Sequence, residues 1–231
     1  MLVAVWSPKG GSGSSVFSAG CALSLARTGP ARIVDLGGDQ PSVLGLPTDP
    51  ELGVREWLAI GVAAPVEALE RLEIAITPGL RLLPAGRTDI VDALPEAGAA
   101  LAVALRTPPN SHTVLDVGTT SDPVCRALLE VADVNVLVVR GCYLALRRAV
   151  HAVTDVRPTG VVVLEEQHRA LRARDVGDVL GAPVIARVPV HPAIARAVDA
   201  GVLVAREPER LLAPAHLALT RLTVIEPGRA A

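Results

Sequence analysis

The segment Trp6-Ser-Pro-Lys-Gly-Gly-Ser-Gly-Ser-Ser15 gathers the residue types that hold an anion. Gly10, Gly11 and Gly13 let backbone N–H groups curl around a phosphate, Ser12 and Ser14 add hydroxyls, and Ser15 is placed to offer its hydroxyl to Mg²⁺. The apolar run Leu2–Trp6 before the loop and the helical pattern after it set the loop at a strand-to-helix turn, where the helix N-terminus adds a favourable dipole. Lys9 is the only lysine in the chain and stands directly before Gly10-Gly11. The same residues would also serve a simple glycine turn capped by Ser14.

Carboxylates follow at strand-like positions. Val34-Asp35-Leu36-Gly37-Gly38-Asp39 leaves a short apolar run with two acids, and Thr113-Val-Leu-Asp116 delivers a third at the end of another. Asp116 could hold a Mg²⁺-bound water beside the loop, or it could cap the turn that follows.

These residues need a frame, and the chain supplies a regular one. Short β-branched runs at Leu2–Trp6, Arg32–Val34, Leu80–Leu83, Thr113–Leu115, Val134–Val139, Gly160–Leu164 and Val184–Val188 read as strands buried on both faces. Helices are expected over Ser14–Thr28, Ala93–Arg106, Pro123–Val131, Leu144–Val153, Ala170–Leu180 and Pro192–Ala200, with Gly29 closing the first. The alternation predicts an α/β fold: a doubly wound, mostly parallel sheet flanked by helices. The stretch 40–77 is less regular, broken by Pro41, Pro47, Pro50 and Pro65, with room for short helices at Val54–Ala59 and Val66–Leu72. One domain over residues 1–225 and a frayed tail over 226–231 are expected.

Composition narrows the function classes. Half of the 231 residues are apolar and a fifth are charged, as in a globular protein. No run approaches the roughly 18 apolar residues of a membrane span, so no integral membrane segment is expected. Leu2–Trp6 is too short for a signal peptide and lacks a basic leader, which points to the cytoplasm. Cys21, Cys125 and Cys142 lie far apart and read as buried thiols. A net charge of −2 and only four aromatic residues argue against a dominant nucleic-acid surface.

The loop resembles the deviant Walker A motif, K-G-G-x-G-K-[ST], of the ParA/MinD superfamily. Lys9 matches the first lysine, which in that family reaches across a dimer to the partner's nucleotide. Ser14 stands where the second lysine neutralises the β- and γ-phosphates, and a serine cannot replace that charge. The family's D-x-D after its second strand is matched at Asp35, but Gly37 replaces the second Asp, leaving Asp39 as a substitute if the loop bends. Asp116 takes the Walker B position. The resemblance runs on through 129–139, 143–148 and 187–201, and is strongest to the CpaE/TadZ branch; Pro189 matches the proline of its C-terminal strand. The family's adenine-binding asparagine is replaced by Leu164-Glu165-Glu166. CpaE proteins usually carry an N-terminal receiver-like domain, whereas here the loop begins almost at Met1.

The resemblance implies Lys9, Gly10, Gly11, Ser12, Gly13, Ser14, Ser15 and Pro189 as nucleotide-binding positions, and Ser15, Asp35 and Asp116 as Mg²⁺ positions. Asp116 and Asp39 are the catalytic candidates. ATP or ADP with Mg²⁺ is the implied cofactor and a homodimer the implied assembly. Losing a cation from a phosphate site costs several kcal/mol by analogy with buried ion pairs, which points to a pseudo-ATPase acting through an unidentified protein partner. Two alternatives are an ATPase switch in which Arg140, Arg147 or Arg87 replaces the lysine, and a DNA-binding protein using arginines 169, 172, 174, 206 and 210. The segment Leu211–Ile225, with Arg221 as its single basic residue and Pro214 inside it, reads as a packing helix and not as a membrane anchor.

Overall fold

Strand β1 (Leu2–Ser7) is buried along its whole length. Leu2, Ala4 and Trp6 face one apolar core while Val3 and Val5 face the other. The two-residue period of a strand sorts the side chains this way, and a strand covered on both faces therefore reads as unbroken apolar sequence. A computed structural model describes residues 1–90, 93–107, 111–119 and 122–225. The expected tail, 226–231, lies outside the described residues.

After β1 the chain forms α1 (Ser14–Ala26), β2 (Ala31–Asp35), α2 (Gln40–Leu44), α3 (Val54–Ile60), α4 (Val66–Leu72), β3 (Ile74–Thr77) and β4 (Leu80–Leu83). Then come α5 (Pro95–Ala104), β5 (His112–Thr119), α6 (Pro123–Val131), β6 (Val134–Arg140), α7 (Tyr143–Asp155) and β7 (Gly160–Glu165). The chain continues through α8 (Ala173–Leu180), β8 (Val184–Pro189), α9 (Pro192–Asp199), α10 (Leu203–Arg206) and α11 (Glu209–Ile225). The strands form one sheet in the order β3-β4-β2-β5-β1-β6-β7-β8. Every pairing is parallel except β3 on β4. Among the described residues, no helix is long and apolar enough to cross a membrane.

The expected elements appear in place, with physical reasons for the differences. The irregular stretch 40–77 hides β3, which has four residues and is only half buried, so it carries no clear alternation. A Pro78-Gly79 turn pairs it back onto β4. A side chain at Gly79 would put a Cβ 2.8 Å from the Ala26 carbonyl oxygen, so the turn can pass α1 only as glycine. Pro41 does not break the chain; it sits in the first turn of α2, where its missing N–H costs nothing. Pro214 likewise lies inside α11 without ending it. Gly29 donates its N–H to Leu25 O at 3.2 Å without adopting a left-handed backbone. Cys21 and Cys125 are buried, and burial pushes both thiols up, that of Cys125 to about 12. Cys142 is only partly buried, a departure from the expected buried thiol; it lies in the turn between β6 and α7, at the N-cap of that helix.

Strand β3 is also held by charge. Glu73 precedes it and pairs with Arg32 of β2 and Arg81 of β4. The Glu73 and Arg32 side chains are 5% and 10% exposed, whereas Arg81 is half exposed. Glu73→Ala should therefore cost about 3 kcal/mol in urea unfolding, because Arg32 is left charged and buried. Arg81→Ala should cost less than about 1 kcal/mol in the same titration.

Candidate functional site

The loop after β1 turns on two left-handed glycines, Gly11 (φ 71°) and Gly13 (φ 77°). At Gly13 a Cβ would also lie 2.7 Å from Leu164 Cδ1, which would have to swing aside; the left-handed backbone is what calls for glycine there. Gly13 occupies the N-cap of α1 and Ser14 is its first residue, so Ser14 is not the cap that a plain glycine turn would need. The Ser14 hydroxyl is buried and lies 3.3 Å from Ser7 Oγ. Ser7 Oγ and Ser12 Oγ both donate to the Lys9 carbonyl, at 3.0 and 2.8 Å. The serines thus brace the loop from within, and the Lys9 ammonium donates to Gly10 O at 3.0 Å.

Parallel pairing places Asp35 directly opposite Asp116 at the tips of β2 and β5. Both are fully buried. Asp35 organises the next turn: Oδ1 accepts from Gly38 N–H at 2.7 Å and Oδ2 from Gln40 N–H at 3.0 Å. Gly38 (φ 96°) supplies the bend, which returns Asp39 to the loop with Ser15 Oγ 3.4 Å from its Oδ2. A Cβ on Gly37 would make only ordinary contacts, at 3.7 Å and beyond.

Gln40 is the residue that the sequence did not signal. Its amide Nε2 donates to Ser15 O at 2.8 Å and to Asp116 Oδ2 at 2.7 Å, joining helix α1 to strand β5. A lone glutamine between Asp39 and Pro41 carries no spacing pattern; only the bend at Gly38 turns it inward. Asp116 Oδ1 and Gln40 Oε1 remain buried with no hydrogen-bond partner among the described residues.

Around the loop lie two hollows. One, of about 520 Å³, is lined by Ser7, Gly10, Gly11, Gly13, Ser14, Ser15, Gly37, Asp39 and Gly118, with no arginine or lysine among the described residues of its wall. The other, of about 310 Å³, shares Gly11 and Gly13 and is lined mainly by apolar side chains, with Arg140 and Pro189 on its wall. Of the three arginines considered for the missing charge, only Arg140 reaches the loop, with Nη1 3.4 Å from Gly11 O. Arg87 is exposed and pairs with Glu51, and Arg147 is exposed on α7.

Burial drives the Asp35 carboxyl from 3.8 up to about 7, with the neighbouring Asp116 adding to the rise against two backbone hydrogen bonds. Burial likewise pushes Asp116 up. Since native Asp35 keeps its proton up to about pH 7 and the unfolded chain releases it near 3.8, the native state binds more protons between those values. Stability must then fall as pH rises through that window. In metal-free buffer the urea midpoint should drop from pH 4 to pH 7, and Asp35→Asn should show a flatter profile over the same range.

No protein-family model matches the chain. The uncharacterized proteins MT3760 and Rv3660c of Mycobacterium tuberculosis are each 30% identical over 248 aligned residues, covering 99% of this chain. The chain spans 65% of the length of these relatives. Among solved structures, a ParA family ATPase from Chlorobium tepidum superposes with a TM-score of 0.77 at 22% identity, covering 94% of this chain and 97% of that one. The septum site-determining protein MinD of Pyrococcus horikoshii, complexed with Mg-ADP, gives 0.76 at 17% identity over 99% and 98% of the two chains. The eight-stranded, mostly parallel sheet flanked by helices matches the ParA and MinD ATPase fold.

Proposed function

We propose that this chain is a ParA/MinD-like pseudo-ATPase of the CpaE/TadZ type: a single domain over residues 1–225, cytoplasmic and homodimeric, that positions or scaffolds other proteins. The processes in view are cell division, chromosome partition, or pilus and secretion assembly. One observation carries the reading: Ser14 is turned inward onto Ser7, and no lysine or arginine lines the hollow beside Ser15, Asp39 and Gly37.

The fit to Mg²⁺-nucleotide is partial. Ser15 Oγ, Asp39 and the unpartnered Asp116 Oδ1 are hard oxygen donors of the kind Mg²⁺ takes, usually with several waters retained. Among the described residues, however, no three His, Cys, Asp or Glu side chains converge as a ready metal cage. A terminal phosphate in this hollow would meet Asp39 and no opposing cation, where an active enzyme places its main charge clamp. The residues therefore suit Mg²⁺ and the loop suits an anion, but the donor set does not suit phosphoryl transfer.

A slow ATPase switch is the second reading, favoured by Arg140 at the loop. Of the arginines in the nucleotide-independent DNA reading, Arg169 pairs with Glu166 and Arg174 with Asp178.

A phosphate-release assay with Mg-ATP should show turnover no higher than that of a Lys9→Ala, Asp116→Ala variant, and the oligomeric state should be the same with and without ATP. Turnover well above that control, together with ATP-dependent dimerisation, would establish the switch instead.

A further inference from the structure

The glycine loop has a different charge on each side. On the side of Ser15 the wall carries Asp39, with buried Asp35 and Asp116 behind it. On the other side the same Gly11 and Gly13 open into the apolar hollow of Phe17, Leu164, Val188 and Ile194, where, among the described residues, Arg140 is the only arginine or lysine of the wall and Asp199 its only acid. Arg140 is fixed in place: Nη1 donates to Gly11 O, and Nη2 lies 2.6 Å from Glu166 Oε1. Glu166 is held in turn by Arg169, whose hydrogen bond keeps that carboxyl below the usual carboxylate range. The Arg140 Nε is buried and has no partner.

From this asymmetry we infer that Arg140 selects ligands by phosphate count: the site takes a phosphomonoester on an apolar or aromatic body in preference to a triphosphate. The inference rests on the reading of the loop as a nucleotide-type anion site and adds where the charge must sit. A single phosphate at the Gly11–Gly13 edge meets loop amides and the positive charge of a guanidinium already held in place by Gly11 O and Glu166. The body attached to it enters a hollow of about 310 Å³, at the small end of ligand pockets. Each further phosphate extends toward Asp39, a like charge, and meets no arginine or lysine among the described residues of that wall.

Calorimetric titration with AMP, Mg-ATP and inorganic phosphate tests this on the full chain. AMP should bind at least as tightly as Mg-ATP and about tenfold or more tighter than inorganic phosphate. Arg140→Ala should weaken AMP by about tenfold or more while Arg140→Lys retains most of the affinity, and Ser14→Lys should shift preference toward Mg-ATP. Mg-ATP binding tighter than AMP in the unaltered chain, AMP binding indifferent to Arg140→Ala, phosphate equal to AMP, or no binding at all would each overturn it. ATP turnover is read separately, so loss of the pseudo-ATPase reading and loss of this one are distinguishable.

Discussion

Two aspartates at neighbouring strand tips, both out of contact with water, set the terms for everything around the loop. Parallel pairing of β2 with β5 leaves Asp35 and Asp116 no choice but to face each other, and burial makes their shared charge costly. The protein answers with amide groups and no cation. Two backbone N–H groups fold over Asp35, and the Gln40 side chain joins Asp116 to helix α1. The bend at Gly38, the start of α2 and the return of Asp39 to Ser15 all follow from satisfying these carboxylates.

The architecture was legible in the sequence because a doubly covered strand leaves an unmistakable apolar run. Leu80–Leu83 and Pro123–Val131 fall where the sequence put them, and the other long elements differ by a few residues at their ends. What the sequence hid is instructive. Strand β3 is short and half exposed, so neither alternation nor a continuous apolar run marks it, and its position depends on Glu73 meeting arginines from two other strands. Helix α2 was masked by Pro41, a residue that breaks a helix interior but suits a first turn.

At the site, the glycines and Ser15 were readable from a strand-to-helix turn, and Asp35 and Asp116 from the resemblance of their strand ends to the family's motifs. Gln40 and Arg140 were not. Their roles arise from a bend at one glycine and from the order of strands in the sheet, which brings the end of β6 beside the loop after β1. Ser14 shows the reverse case: its identity was visible, but only the fold reveals that its hydroxyl is spent on Ser7.

The rims of the sheet carry a further consequence. At one rim β3 has only four residues, runs against its neighbour and is interrupted between Ala75 and Thr77. At the other, β8 ends in Pro189, packs against α11, and has its Ile185 carbonyl already occupied by the Arg221 guanidinium at 2.9 Å. Neither border offers the long row of free amides and carbonyls that another strand could zip onto. Both borders are thus blunted against the addition of a further strand, and a sheet of this build resists growing into a shared, continuous ribbon.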